Sequence, residues 1–244
     1  GIGVGSMLCE RMSGKHVEIG LVPFGSIGLT LFGLDLYFAS PTGLAGAAPH
    51  ELLALLAMPA VWRVLFDLLM LGMFGGFFIV PMYALVQLRS SPEHRARIIA
   101  ATNILNALFM VVGALAAAAL LGEGLSIPAL FGLGALLNAA VAIYIYGLVP
   151  EFLLRFVAWL LVKAVYRLRT SGLEHIPQAG AAVVVANHVS FADAVIIMGA
   201  SPRPIRFVMD HRIFRTPLLG FIFRHTGAIP IAPAKEDPEM MEKA

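Results

Sequence analysis

The residues best suited to chemistry lie in one short segment, Asn187-His188-Val-Ser190-Phe-Ala-Asp193. A valine-rich apolar run from Val183 to Ala186 precedes it and predicts a short buried strand. Ser190, with an acidic residue three positions later, is typical of a helix N-terminus. His188 falls between these two elements, where an imidazole can exchange protons near neutral pH and a carboxylate one helical turn later can fix its tautomer. The helix N-terminus also offers free N–H groups to an anion such as phosphate.

Two interpretations of this segment remain open on spacing alone. In one, His188 is a general base and Asp193 supports it. In the other, Ser190 and Asp193 are only a capping box, and His188 is only a polar residue at a strand end. Short motifs of this kind often match by chance, so the surrounding elements have to decide.

The elements around this segment predict an α/β domain. The helix that Ser190 begins continues from Ala194 to Ala200, and we expect a second strand at 205–209, a helix at 214–223 and a third strand at 228–231. Arginines are frequent here, and they can bind phosphate, an acidic carrier protein or anionic lipid, or only solvate the surface. They are Arg203, Arg206, Arg212, Arg215 and Arg224.

Residues 172–232 resemble the family of lysophospholipid and glycerol-phosphate acyltransferases. The family's first motif, Asn-His-x-x-x-x-Asp, matches Asn187, His188 and Asp193. Its second motif, Gly-x-Ile-x-Ile-x-Arg, matches Gly227, Ile229 and Ile231, whereas Pro233 stands where the family has arginine. That departure resembles the branch fused to acyl-carrier-protein synthetases, which reacylates 2-acyl-glycerophosphoethanolamine. It leaves open which residue meets the phosphate of the acceptor.

The resemblance implies a transfer of a fatty acyl group from a thioester, acyl-ACP or acyl-CoA, to a free hydroxyl of a lysophospholipid. His188 would be the general base and Asp193 its support, with no metal and no organic cofactor. We expect substrate binding at the neighbouring motif residues and at one basic side chain. These are Asn187, Ser190, Gly227, Ile229 and Arg206.

The composition predicts a membrane protein. The chain has 244 residues, of which 59% are hydrophobic and 13% charged, and its mean hydropathy is +0.86, too apolar for a soluble domain. A single cysteine, Cys9, excludes an internal disulfide. The net charge of +2 is spread over short loops, so no nucleic-acid partner is expected. Because Gly1 is not an initiator methionine and Ala244 closely follows the second motif, we expect a fragment open at both ends and inactive alone.

Four full apolar spans, each long enough to cross about 30 Å of hydrocarbon, are expected. They are Val17–Phe38, Val64–Leu88, Ile98–Leu121 and Pro128–Val149. Gly1 to Leu8 would be the end of a fifth span, a tight charged loop would cover 10–15, and the short run Leu52–Ala60 would be interfacial or lead into the next helix. Lys and Arg cluster in alternate loops, which indicates a cytoplasmic side that also holds the His188 domain. The predicted localisation is a bacterial inner membrane.

A second, weaker resemblance covers residues 1–149. Ser6 to Lys15 resembles a degraded loop motif of major facilitator transporters, Gly-x-Leu-x-Asp-Arg-x-Gly-Arg-Lys. Glu10, Arg11 and Lys15 fit it, whereas Ser6 and Ser13 replace glycines. It implies the second half of a lysophospholipid transporter, and the alternative is a generic helical anchor. Arg63 and Asp67 lie four residues apart and could pair, and the role of Asp67 stays open.

The expected fold is therefore an α-helical membrane bundle at 1–149, a linker at 150–170 and a partial cytoplasmic α/β acyltransferase domain at 171–244. Charged residues at four-residue steps, with Trp159 completing the series, predict that the linker is a basic amphipathic helix in the membrane interface, or else a plain continuation of the last span. The charged residues are Glu151, Arg155, Lys163 and Arg167. The leading function is acylation of a lysophospholipid in phospholipid synthesis or repair, coupled to transport. The alternatives are a transporter with a non-catalytic regulatory module and the acylation of glycerol 3-phosphate.

Overall fold

The computed structural model describes residues 1–13, 20–40, 52–165, 168–177, 180–190, 192–201, 203, 205–217 and 219–232. The chain divides into two compact units, Gly1–Tyr144 and Ile145–Ala244, which are described separately.

The first unit is helical. Its elements are α1 (Ile2–Ser13), α2 (Leu21–Ala39), α3 (Leu52–Leu56), α4 (Pro59–Arg89), α5 (Arg95–Gly122) and α6 (Ile127–Leu148), the last of which continues into the second unit. Four of them, α2, α4, α5 and α6, are long and apolar enough to cross a membrane. The four expected spans are thus confirmed as apolar helices, and they indicate a membrane protein.

One local expectation in this unit is wrong, and one ion pair that the sequence allowed does not form. Residues 10–13 of the loop expected at 10–15 continue α1 instead, because Glu10 and Arg11 are good helix formers and Arg11 lies favourably in the last turn. Residues 14–15 lie outside the described residues. Arg63 of α4 does not pair with Asp67. It instead donates from Nε to Oδ2 of Asp35 on α2 at 3.2 Å, with a second bond from Nη2 to Oδ1. Asp35 on the neighbouring helix therefore binds Arg63 in preference to Asp67 on the same helix face.

Helices α1, α2 and α4 pack through glycines and aromatic rings. A Cβ atom at Gly5 of α1 would lie 2.1 Å from the carbonyl oxygen of Met73 on α4, so the two backbones touch. On α2, the ring of Phe24 stacks edge-on against those of Phe74 and Phe77 at centroid distances of 5.0 and 5.2 Å. This close approach buries the centre of the bundle and fixes the α2–α4 contact that carries Asp35 and Arg63.

The second unit combines helices with a small sheet. Its elements are α7 (Pro150–Val165), a 3₁₀ turn (Leu173–His175), α8 (Ala192–Ala200), β1 (Val208–Asp210), α9 (His211–Phe214), α10 (Leu219–His225) and β2 (Ile229–Ile231). The strands β1 and β2 pair in parallel, with Val208 opposite Ile229. The helix after Ser190 and the two later strands are confirmed, and the expected helix at 214–223 is wrong. Pro217 has no N–H to donate and disfavours helical geometry at Thr216, so two short helices form instead.

The expected strand at Val183–Ala186 is also wrong. Residues 181–190 have no regular structure, and Val183 and Val185 are 92% and 89% exposed. Valine favours extended backbone, but a strand also needs a neighbour for its N–H and C=O groups. Within the described part of the chain, the only two strands pair with each other.

The linker helix α7 packs against α8. Its buried side includes Phe156, Ala158 and Val162, and a Cβ atom at Gly199 of α8 would lie 3.0 Å from Val162. Arg155 is on this side too, and its Nη2 donates to the carbonyl oxygen of Ser201 at 2.6 Å. The expected basic face is therefore wrong for Arg155. The opposite side of α7 is apolar and exposed, with Leu153, Val157, Leu160, Leu161 and Val165.

Candidate active site

The N-terminus of α8 brings His188 and Asp193 together. Nδ1 of His188 lies 3.3 Å from Oδ2 of Asp193. Asp193 lies five positions after His188 in sequence, and the chain turns back on itself before α8 begins. The carboxylate in the first turn of the helix therefore reaches the imidazole that precedes it.

The same carboxylate also caps the helix. Its Oδ2 atom accepts the N–H groups of Val189 at 2.7 Å and of Ser190 at 2.8 Å. Ser190 reciprocates, because its Oγ accepts the N–H of Ala192 at 3.2 Å. Asp193 can therefore be both a helix cap and a partner of His188, because the same oxygen atom accepts the backbone N–H groups and faces the imidazole.

These contacts set the charge of Asp193. The N–H of Ser190, followed by that of Val189, holds the pKa of the carboxyl group below its ordinary value, and His188 adds a smaller contribution. A carboxylate that accepts several backbone N–H groups stays ionised across the neutral range. Asp193 therefore presents a negative charge to Nδ1 of His188 throughout the neutral range.

The pair differs in exposure. The side chain of His188 is 72% exposed, whereas that of Asp193 is 25% exposed. The carboxylate is thus fixed against the protein, and the imidazole projects outward from it. With Nδ1 facing the carboxylate, Nε2 is the ring nitrogen suited to an incoming hydroxyl group.

A second group of expected site residues lies at the small sheet. Arg206 and Gly227 precede β1 and β2, and parallel pairing aligns the starts of both strands. A Cβ atom at Gly227, whose φ is +65°, would lie 3.2 Å from Nε of Arg206. Gly227 thus supplies both a left-handed backbone and room for the guanidinium stem. Ile229 adds to the ladder by donating its N–H to the carbonyl oxygen of Phe207 at 2.8 Å.

The site residues therefore form two groups. His188, Ser190 and Asp193 belong to the start of α8, which packs on α7, whereas Arg206, Gly227 and Ile229 belong to the sheet, which contacts α9. Asn187 is exposed directly before His188, and Pro233 lies outside the described residues. In the ranges described, no group of three or more His, Cys, Asp or Glu side chains is arranged to hold a metal ion.

The sequence did not reveal what two of the arginines do. Nη1 of Arg203 donates to the carbonyl oxygens of Pro177 and Gly180, at 2.8 and 3.0 Å, and so holds the segment that leads to His188. Arg155 similarly joins α7 to the end of α8. Local sequence patterns do not show these contacts, because each arginine lies more than 20 positions from the carbonyl group that it meets.

One comparison with known proteins identifies a family domain in the second unit. Residues 167–244 match the family model described as Acyltransferase. The chain thus contains an acyltransferase-family domain after its apolar helices, and this supports acyltransferase activity in general. No curated protein and no solved structure matches the chain.

Proposed function

We propose that the protein transfers a fatty acyl group from a thioester to a free hydroxyl of a lysophospholipid. The observation that carries this proposal is the 3.3 Å contact between His188 and an Asp193 carboxylate that two backbone N–H groups hold in place. An imidazole supported in this way is suited to general-base catalysis, which is worth about 10²–10⁴-fold in rate.

The chemistry needs no nucleophile from the protein. Nε2 of His188 takes the proton of the acceptor hydroxyl while the hydroxyl oxygen attacks the thioester carbonyl. The tetrahedral intermediate then expels the thiolate of acyl-ACP or acyl-CoA, which takes the proton back from the imidazolium. Asp193 stays ionised and stabilises the imidazolium between these two steps, in the manner of a triad without its serine.

The acceptor's phosphate would be bound at the small sheet. Pro233 removes the arginine that the family's second motif provides. Arg206, whose stem lies against Gly227 of that motif, is the cation suited to replace it. A guanidinium can bind phosphate through two parallel hydrogen bonds.

A lipid acceptor is favoured by helix α7. It begins at Pro150, with a single residue between it and the end of α6, and α6 is a candidate membrane span. The apolar face of α7 opposite α8 suits the membrane interface, with the acyltransferase domain on the cytoplasmic side. Residues 1–149 would then belong to a lysophospholipid transporter that supplies the acceptor.

The competing function is a transporter with a non-catalytic module. The exposed His188 and the proline at position 233 are the observations in its favour. A third possibility, the acylation of glycerol 3-phosphate, keeps the same chemistry with a soluble acceptor.

The test measures acyl transfer by the full-length protein in membranes, with acyl-ACP or acyl-CoA as donor and either a lysophospholipid or glycerol 3-phosphate as acceptor. We expect transfer to the lysophospholipid, and we expect His188→Ala to abolish it. His175→Ala is the matched control, because His175 is also exposed and lies 3.7 Å from a carboxylate, that of Glu174, but in a 3₁₀ turn. Full activity in His188→Ala would refute the catalytic role, and no transfer by the wild type would favour the non-catalytic module.

A further inference from the structure

A carboxyl group in the helical bundle has no counter-charge of its own. Asp67 of α4 has a relative exposure of 0%, and neither of its carboxyl oxygens has a hydrogen-bond partner among the described residues. An ionised carboxylate without a partner is costly away from water, so such a group tends to take up a proton or a cation. Asp67 is therefore a polar group that the proposed acyltransferase function does not explain.

The nearest cation is already engaged. Arg63 lies one helical turn before Asp67, but its guanidinium donates to both oxygens of Asp35 on α2. Asp35 and Arg63 are also the two charged groups that act on Asp67 electrostatically. Two carboxyl groups thus lie near one guanidinium, and a single further positive charge, such as a proton, would balance the second carboxylate.

The other titratable groups on the elements around α4 form two sets: the amino group of Gly1 and Tyr37 lie toward the Asp67 end of α4, and the rest lie toward its other end. Among the described residues of elements packed against α4, they are the amino group of Gly1 with Cys9, Glu10 and Arg11 on α1, Tyr37 on α2, and Arg95 and Arg97 on α5. Gly1 packs against Leu69 and Gly72, Gly5 packs against Met73, and α1 runs on from there toward the far end of α4, where α5 begins. The remaining charges of α1 and α5 are thus at the other end of the helix.

The position of Asp67 is suited to exchange with water. Trp62 is exposed near the start of α4, and its Nε1 donates to the carbonyl oxygen of Leu56 at 2.8 Å. An exposed tryptophan at a helix entrance is typical of the membrane–water interface. Asp67 lies five residues further on, about 7.5 Å deeper at the helical rise of about 1.5 Å per residue. It is therefore covered by protein but close to the aqueous side.

We propose that Asp67 is a proton-binding site of the helical bundle. In the protonated state, the neutral acid can donate its O–H to the Asp35 carboxylate, and Arg63 remains with Asp35 as observed. When the proton leaves to water, the Asp67 carboxylate competes for Arg63, which is four residues away on the same helix face. Protonation of Asp67 thus determines whether the guanidinium joins α4 to α2 or turns back to its own helix.

The test is infrared difference spectroscopy of the protein in lipid vesicles between acidic and alkaline pH. We expect a carbonyl stretching band of a protonated carboxylic acid at neutral pH, and we expect Asp67→Asn to lose it entirely. Glu10→Gln, which changes an exposed carboxylate at the far end of α1, is the matched control and should keep the band. Absence of the band in the wild type, or its persistence in Asp67→Asn, would overturn the proposal.

A second measurement covers the case in which Asp67→Asn folds poorly. Because the folded protein holds a proton that the unfolded chain releases, the wild type should lose thermal stability as the pH rises through neutrality. Asp67→Asn mimics the neutral acid and should flatten this dependence. Stabilisation of the wild type by sodium ions, with no dependence on pH, would instead assign the site to a metal cation. None of these readouts depends on acyl transfer.

Discussion

Replacing Asp193 with asparagine separates its structural role from its electrostatic role. The amide oxygen of asparagine can still accept the N–H groups of Val189 and Ser190, which now lie 2.7 and 2.8 Å from Oδ2. Asparagine and aspartate cap helices about equally well. The start of α8 should therefore remain folded, while the negative charge beside His188 disappears.

The size of the effect follows from the distance and the exposure. At 3.3 Å, a full charge pair corresponds to about ten-fold in water and to more than about 10³-fold at an effective dielectric constant of about 20. The free site is wet, because the side chain of His188 is 72% exposed, and a bound lipid and thioester would exclude much of that water. We therefore expect Asp193→Asn to lower kcat by about 10- to 10³-fold, with little change in KM.

The assay compares the kcat of wild type and Asp193→Asn at several pH values, with circular dichroism to check folding. Because the N–H groups of Ser190 and Val189 hold the pKa of Asp193 below its usual value of about 3.9, the carboxyl group is charged at every pH above that value. The charge of Asp193 is thus present throughout the range from about pH 6 to pH 8, and it should be lost only as the pH falls through the lowered pKa. Equal activity of the two proteins would reduce Asp193 to a helix cap and refute the reasoning.

Three further predictions concern packing and the membrane. Gly5→Ala should lower the free energy of unfolding by about 1–3 kcal/mol, because its Cβ would lie 2.1 Å from a backbone oxygen. Gly3→Ala is the control and should not destabilise the protein, because nothing lies within 4 Å of its Cβ position. Equal melting temperatures of the two variants in detergent would contradict this contact. Arg155→Leu should destabilise the second unit by about 1–3 kcal/mol, since it leaves the carbonyl oxygen of Ser201 without this donor. Unchanged stability together with stronger membrane binding would instead indicate that Arg155 lies in the membrane interface. Polar substitution of the exposed apolar face of α7 should weaken membrane binding of the second unit without unfolding it. Binding is measured by flotation with lipid vesicles, and unchanged binding would count against burial of that face in lipid. The substituted residues are Val157, Leu160 and Leu161.

The sequence predicted best what a segment decides by itself. The four apolar helices were predictable because the need to satisfy backbone groups in lipid leaves a long apolar run little alternative to a helix. The start of α8 was predictable because its capping contacts are local: those of Ser190 and Asp193 join residues at most four positions apart. The signal for the break at Pro217 was also present in the sequence and was overlooked.

Features that depend on residues far away in the sequence could not be predicted from local patterns. The valines from 183 to 185 favour a strand, but the propensity has no effect without a neighbouring strand. Arg63 could have paired with Asp67, and only the approach of α2 gives it Asp35 instead. Arg155 fits a basic helix face in sequence, yet α8 covers that face and supplies a carbonyl oxygen. For the two arginines, the outcome was decided by a partner 28 and 46 positions away, respectively.

The helices of the bundle also differ in how they can enter a membrane during synthesis. Helix α5 has the highest mean hydropathy of the four candidate spans, and none of its residues is buried against the described parts of the chain. Helix α2 has the lowest mean hydropathy and the largest buried share. A nascent segment leaves the translocon for lipid according to its own apolarity, so α5 can insert as soon as it is made. Helix α2 emerges before α4, and we expect it to stay beside the translocon until Phe74 and Phe77 of α4 arrive to cover it.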